Sequence, residues 1–141
     1  MSAKSPEEIC RLFKQFMAEG NIDSVLSLYD PEVVFLNQSG EVKEGWEGLR
    51  QELAPFAAAK ARFDFSIKQV IRSGDIALMH TAWKISSPEQ MSVYAIEVAR
   101  QQPDGTWRWL IGDPFTVNRE SGEEREEAAA DVRTQKRAHR A

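Results

Sequence analysis

Between Met91 and Arg100 the residues alternate, and the alternation carries an acid. Met91, Val93, Ala95, Glu97 and Ala99 fall on one side of an extended chain. A carboxylate on an apolar stripe is costly to bury unless it is paired or protonated. Desolvation raises its pKa, a general way to make a carboxyl group useful as an acid or base near neutrality. Glu97 is therefore the first candidate for proton transfer. Ser92, Tyr94, Ile96, Val98 and Arg100 make the other side mixed as well, so an ion-paired or solvated glutamate is the competing reading. A three-residue loop at Pro103-Asp104-Gly105 sets Gln102 opposite Thr106, which puts Trp107, Trp109, Ile111 and Asp113 on the face of Glu97. Trp109 and Trp83 become candidate ligand contacts, although tryptophans in a small domain also serve as core or interface. Asp113 is a candidate ligand contact or a cap on the turn at Pro114. His80, sharing a face with Ile76, Leu78 and Ala82, is a second catalytic candidate or a satisfied core histidine. Tyr29 and Tyr94 can donate phenolic hydrogen bonds to a carbonyl, and Tyr94 joins the ligand-binding candidates.

Other chemistries find no residues to carry them. The chain has no phosphate loop, dinucleotide fingerprint or nucleophile elbow. No Cys/His cluster has metal-ligand spacing, so neither a metal nor another cofactor is expected. A net charge of -4 argues against a general nucleic-acid binder, which needs basic surplus to displace counterions. The single cysteine, Cys10, permits no internal disulfide and suits a reducing compartment, with packing its simplest role. The first eight residues lack a basic segment followed by an apolar one, and no run reaches the ~20 apolar residues a bilayer requires. No membrane association and a cytoplasmic location are the resulting expectations.

The elements that must position these residues are legible in the pattern. Ser5-Pro6-Glu7-Glu8 is a helix start, with Ser5 as cap and Glu8 completing a capping box. Ile9, Leu12, Phe13, Phe16 and Met17 then form one helical face until Gly20. Asn21 or Asp23 can cap a second helix carrying Val25, Leu26, Leu28 and Tyr29, ended by Asp30-Pro31. Val33 to Leu36 reads as a strand, Ser39-Gly40 as its turn, and Val42 as the centre of a short return strand. A third helix follows Gly45, with Leu49, Leu53 and Phe56 on its apolar side. The period then drops from about 3.6 residues to about 2. Phe63, Phe65, Ile67 and Ile71 alternate with Asp64, Ser66, Lys68 and Arg72. Strands over 76–85, 91–100 and 106–111 complete an antiparallel meander. Helices first and a long sheet later indicate α+β, a curved antiparallel sheet wrapped around N-terminal helices in a cone-shaped half-barrel. With 141 residues and 42% apolar content, one domain over 1–119 is expected. Residues 120–141, acidic and then basic with Val132 as the large apolar exception, read as a solvated tail.

The first helix, GNIDSVLSLYDPEVVFLNQSG, GWEGLRQEL, SGDIALMHTAW and PDGTWRWLIGDPF together resemble the nuclear transport factor 2-like superfamily, with its ketosteroid isomerase-like and SnoaL-like members. The resemblance covers roughly residues 5 to 117. It implies a deep pocket between curled sheet and helices, a small apolar ligand and a homodimer. It also implies that Glu97 lies near an acidic, pocket-facing strand position. At the place of the aspartate base of ketosteroid isomerases this chain has Asn37, which cannot take a proton. Asn37 is left as a ligand-orienting candidate or a polar strand end entering the Ser39-Gly40 turn. Cofactor-free isomerase or cyclase chemistry, simple ligand binding and a non-catalytic assembly role are the functions this implies.

Overall fold

The computed structural model describes residues 2–121; residues 122–141, most of the expected charged tail, lie outside the described residues. Helix α1 (Pro6–Glu19) begins where the sequence places it. Ser5 Oγ accepts a hydrogen bond from Glu8 N at 3.2 Å, and Glu8 Oε1 accepts from Lys4 N at 3.0 Å. These bonds satisfy amides that a helix start otherwise leaves unpaired. Gly20 ends the helix at φ 73°, a conformation that favours glycine, and its N–H returns to the carbonyls of the last turn. Ile9, Leu12, Phe13, Phe16 and Met17 are all buried, so the expected apolar face is the packed face. Helix α2 (Ile22–Leu26) is capped by Asn21 Oδ1, and α3 (Gly45–Ala58) buries Leu49 and Leu53.

The strands are β1 (Tyr29–Leu36), β2 (Val42–Glu44), β3 (Arg62–Ser73), β4 (Ile76–Ser87), β5 (Met91–Gln101) and β6 (Trp107–Asp113). They form a curved, unclosed six-stranded sheet in the order β2-β1-β6-β5-β4-β3. The fold is α+β, as the pattern of elements indicates. The long strands make the expected antiparallel meander, but β1 joins β6 in parallel, so the whole sheet is mixed. Residues 116–121 are helical.

Two local expectations change. Tyr29 begins β1 instead of ending α2, because it pairs with Trp109 while Trp109 N donates to Leu28 O at 2.9 Å. That pairing joins segments far apart in sequence, and no local propensity announces it. In β3 the register shifts between Ile67 and Gln69. A bulge reverses the faces of all residues beyond it. Val70 therefore turns inward and Ile71, expected to continue the stripe, is 54% exposed.

One buried polar cluster fastens β1 to the far end of the meander. Asp30, 2% exposed, accepts hydrogen bonds from Arg100 Nη2 at 2.8 Å, Arg100 Nε at 3.1 Å and Gln102 Nε2 at 2.9 Å. Its other oxygen accepts from Glu32 N at 2.8 Å. Burial alone would raise its pKa, but these donors outweigh burial and hold it below the ordinary value. The stabilisation is present above the ordinary aspartate value of 3.8 and is lost as pH falls below it. Replacing Asp30→Ala strands the Arg100 and Gln102 donors and should cost about 2 kcal/mol at pH 7 in urea unfolding, with the deficit narrowing in acid.

Candidate functional site

The register of β4 and β5 builds one wall of the interior. Met79 faces Glu97, Thr81 faces Ala95, and Trp83 faces Val93, all toward the helices. Above them α1 contributes Phe13, α3 contributes Leu53 and Phe56, and β1 contributes Tyr29 and Phe35. With Trp83, Val93, Ala95 and Glu97 they line a partly open cavity of about 150 Å³. Its wall is a set of aromatic rings locked edge to face. Phe13 stands 5.0 Å from Phe63, 5.2 Å from Trp83 and 5.6 Å from Trp109, centroid to centroid. Such edge-to-face pairs are favoured by the ring quadrupoles and leave little freedom to shift. Gly112 allows Phe35 to close over β6, since a Cβ there would lie 2.9 Å from Phe35 Cδ2. Gln38 and Glu52 are the more exposed polar groups of the lining.

Glu97 stands in this apolar wall at 7% exposure. Burial pushes its pKa up to about 8, with the Trp83 indole and Thr81 hydroxyl opposing the rise. Its Oε1 has no hydrogen-bond partner, and neither do the buried Thr81 Oγ1 and Trp109 Nε1. No Arg, Lys or His lines the cavity among the described residues. The carboxyl therefore has no countercharge and is mostly protonated at neutral pH. Burial, and next the charge Glu97 would carry, push the Tyr29 phenol and the Cys10 thiol to higher pKa as well. Both stay neutral, so Cys10 is a packing residue with no thiolate character. No three His, Cys, Asp or Glu groups among the described residues converge as metal ligands.

Of the residues singled out in the sequence, Glu97, Trp83 and Trp109 line the cavity together. The other four lie elsewhere. His80 and Tyr94 point to the opposite face of the sheet, where Tyr94 Oη approaches His80 Nδ1 at 3.5 Å. Strand alternation makes this unavoidable, because His80 sits between the inward Met79 and Thr81. His80 therefore cannot act beside Glu97. Asp113 is turned away by a bulge in β6, where Val98 pairs with Ile111 and Ala99 with Trp109. The extra residue, Leu110, reverses the face of everything after it, and Asp113 Oδ1 instead accepts from Thr116 N at 3.2 Å. Asn37 is buried in the β1–β2 turn, where Oδ1 accepts from Glu41 N at 2.8 Å and Nδ2 donates to Glu41 Oε1 at 3.1 Å. It closes the hairpin and is not among the cavity residues. Phe13, which the periodicity places only on the packed face of α1, also lines the cavity.

A family model for the SnoaL-like domain matches residues 10–122. The chain belongs to the SnoaL-like family. No curated protein matches the sequence. Among solved structures, a candidate ketosteroid isomerase from Parabacteroides distasonis ATCC 8503 is 27% identical, with a TM-score of 0.61 over 76% of this chain and 83% of that one. A candidate calcium/calmodulin-dependent protein kinase type II association domain from Thiobacillus denitrificans ATCC 25259 is 17% identical, with a TM-score of 0.67 over 82% of this chain and 99% of that one. A ketosteroid isomerase-like protein from Erwinia carotovora atroseptica SCRI1043 is 16% identical, with a TM-score of 0.59 over 75% and 88%. The last two likenesses show the fold alone. No helix of the described residues in this SnoaL-like protein is long and apolar enough to cross a membrane.

The raised pKa of Glu97 has a definite sign. A neutral carboxyl is the form the folded state prefers, so its contribution is fully present below the ordinary value of 4.5 and is lost as pH rises through about 8. Glu97→Gln should therefore stabilise the protein at pH 7 by up to about 3 kcal/mol and make no difference near pH 4.5. Chemical denaturation of both proteins across that interval measures the effect.

Proposed function

We propose that this SnoaL-like domain binds a small, largely apolar molecule in the cavity and that Glu97 exchanges a proton with it. The observation that carries this reading is a buried carboxyl group, without a countercharge among the described lining residues and with one oxygen unmatched, set into an aromatic wall. Removing a proton beside a carbonyl needs a base of suitable pKa and a donor near the oxygen that gains charge. Glu97 is the only strongly perturbed carboxyl group among the described cavity residues. A proton taken from one carbon and returned to another isomerises the substrate without a cofactor. The likeness to ketosteroid isomerase-like proteins supports the same class. Native mass spectrometry of freshly purified protein tests for a retained small molecule. With a substrate found by screening carbonyl compounds, Glu97→Gln should lower turnover about 10²- to 10⁴-fold while changing affinity only modestly. If Glu97 is the base, parent activity rises with pH through about 8. An unchanged rate in Glu97→Gln leaves a binding protein without catalysis.

A second reading, assembly, rests on a separate observation. Val34, Ile111, Val98, Leu78 and Ile71 are directly paired in turn across five neighbouring strands on the outer face of the sheet. Ile111 is 44% exposed and Ile71 54%. A continuous apolar belt on a sheet face commonly marks an interface. We assign it to a second copy of the chain, giving a homodimer with the cavities facing away from the contact. Val98→Asp, at the centre of the belt, should convert the dimer to a monomer in sedimentation analysis. A monomeric parent protein rules the dimer out.

A further inference from the structure

The mouth of the cavity has a closing element of its own. Resting on the pocket reading above, we propose that residues 114–121 form a gate over it. Phe115 stands across the opening, the Asn118 carboxamide latches the segment to β5, and a ligand enters when that latch lets go.

The place of the gate follows from the lining. Phe13, Tyr29, Glu97 and Trp109 are buried and belong to the inner end. The more exposed lining residues, which form the rim, include Gln38, Glu52, Phe56, Met91, Pro114 and Phe115. Glu52 and Phe56 are fixed in α3, and Met91 in β5. Pro114 and Phe115 are held by no long element. Strand β6 ends at Asp113, and the two residues form a bend before the helical residues 116–121. Phe115 is half-buried and packs against the core, so its ring covers part of the opening from a short segment at the edge of the fold.

Two sets of hydrogen bonds hold this segment. At its start Asp113 Oδ1 accepts from Thr116 N at 3.2 Å, and Arg119 N donates to Phe115 O at 3.0 Å, so Phe115 and Asn118 ride on one turn. Further along, Asn118 Oδ1 accepts from Tyr94 N at 3.0 Å and Asn118 Nδ2 donates to Ser92 O at 2.7 Å. Both backbone groups lie beyond the last residue of β5 that β6 pairs, Ile96 opposite Asp113. A carboxamide carries a donor and an acceptor in one plane. Here it takes the place of a peptide group from a strand that has already ended. The latch thus grips the strand whose inner side, through Met91, Val93, Ala95 and Glu97, lines the cavity. Its bonds are exposed, so water competes for both. Few buried contacts and exposed hydrogen bonds mark a segment that opens ahead of the rest of a fold. When the two bonds break, turn and ring move together.

Stopped-flow mixing of the full chain with prodan, an uncharged naphthyl ketone that brightens in apolar surroundings, measures entry and exit directly. Asn118→Ala removes both latch bonds and should quicken entry and exit about tenfold, with affinity changed less than about threefold. Phe115→Ala clears the mouth and should speed entry at least as much. Adding Asn118→Ala to Phe115→Ala should then bring no further gain, because a latch with no ring to hold gates nothing. Asp30→Ala weakens the fold at the other end of β5, where Arg100 binds it, and should admit the dye at the parent rate. That variant separates gating from general loosening. If Phe115→Ala does not fold, Asn118→Ala set against Asp30→Ala carries the test, since Asn118 is exposed. Dye binding at parent rates in Asn118→Ala and Phe115→Ala overturns the gate and leaves the pocket reading standing. Equal quickening in Asp30→Ala overturns it too. A dye that binds none of these proteins overturns the gate together with the pocket reading.

Discussion

Placing Glu97 on the inner face of the sheet is tolerable only while its carboxyl is neutral, and the organisation of the interior follows from that. Ionisation would put a charge among aromatic rings with no basic lining residue near enough to balance it. Burial accordingly moves the pKa to about 8. The same low-dielectric surroundings keep Tyr29 and Cys10 neutral. A neutral carboxyl still donates one hydrogen bond and accepts others, and in an otherwise apolar cavity it becomes the main polar feature a ligand meets. Stability and reactivity here have a common origin. Each step toward a useful base is a step toward a less stable fold.

The sheet's irregularities aim the site. Without the extra residue at Leu110, Ile111 and Asp113 would point inward and a second acid would crowd Glu97. The bulge sends both outward and brings Gly112 opposite Glu97, where the missing side chain makes space for Phe35. The bulge in β3 does comparable work by turning Val70 in and Ile71 out. Both displaced isoleucines then fall in line with Val98 and Leu78, so the devices that shape the cavity also assemble the apolar belt on the other face. The parallel pairing of β1 with β6 completes the enclosure by carrying Tyr29 and Phe35 over the aromatic wall.

These irregularities also mark where sequence reading stopped. The first helix was legible because cap, proline, periodic apolar face and terminal glycine all agree locally. The stripe from Met91 to Ala99 was legible because two-residue alternation is a direct consequence of strand geometry. Glu97 stood out for that reason. Asp113 was misplaced because a one-residue bulge leaves no compositional mark at Leu110 yet reverses every later side chain. His80 was grouped correctly with Ile76, Leu78 and Ala82, but which face of β4 was the inner one depended on where the helices pack. Asn37 was read through its family position, while its own neighbour Glu41 determines what it does. Tyr29 was assigned to a helix because its pairing partner, Trp109, lies eighty residues further on. Nonlocal pairing and strand phase are the two quantities that a single sequence conceals.

Buried polar groups in folded proteins nearly always find partners, and this chain is capable of providing them. Asp30 and Glu97 are both buried acids, 2% and 7% exposed. Asp30 receives donors from Glu32, Arg100 and Gln102, and Asn37 is likewise matched to Glu41. The unmatched buried side-chain atoms among the described residues are Thr81 Oγ1, Glu97 Oε1 and Trp109 Nε1, and of these residues Glu97 and Trp109 line the cavity. Glu97, which lines the cavity, differs from Asp30, which four donors satisfy, in carrying an oxygen that no donor reaches. A buried acid with no countercharge in the described lining of an apolar cavity is thus the strongest physical reason to read this interior as a binding site and not merely as a core.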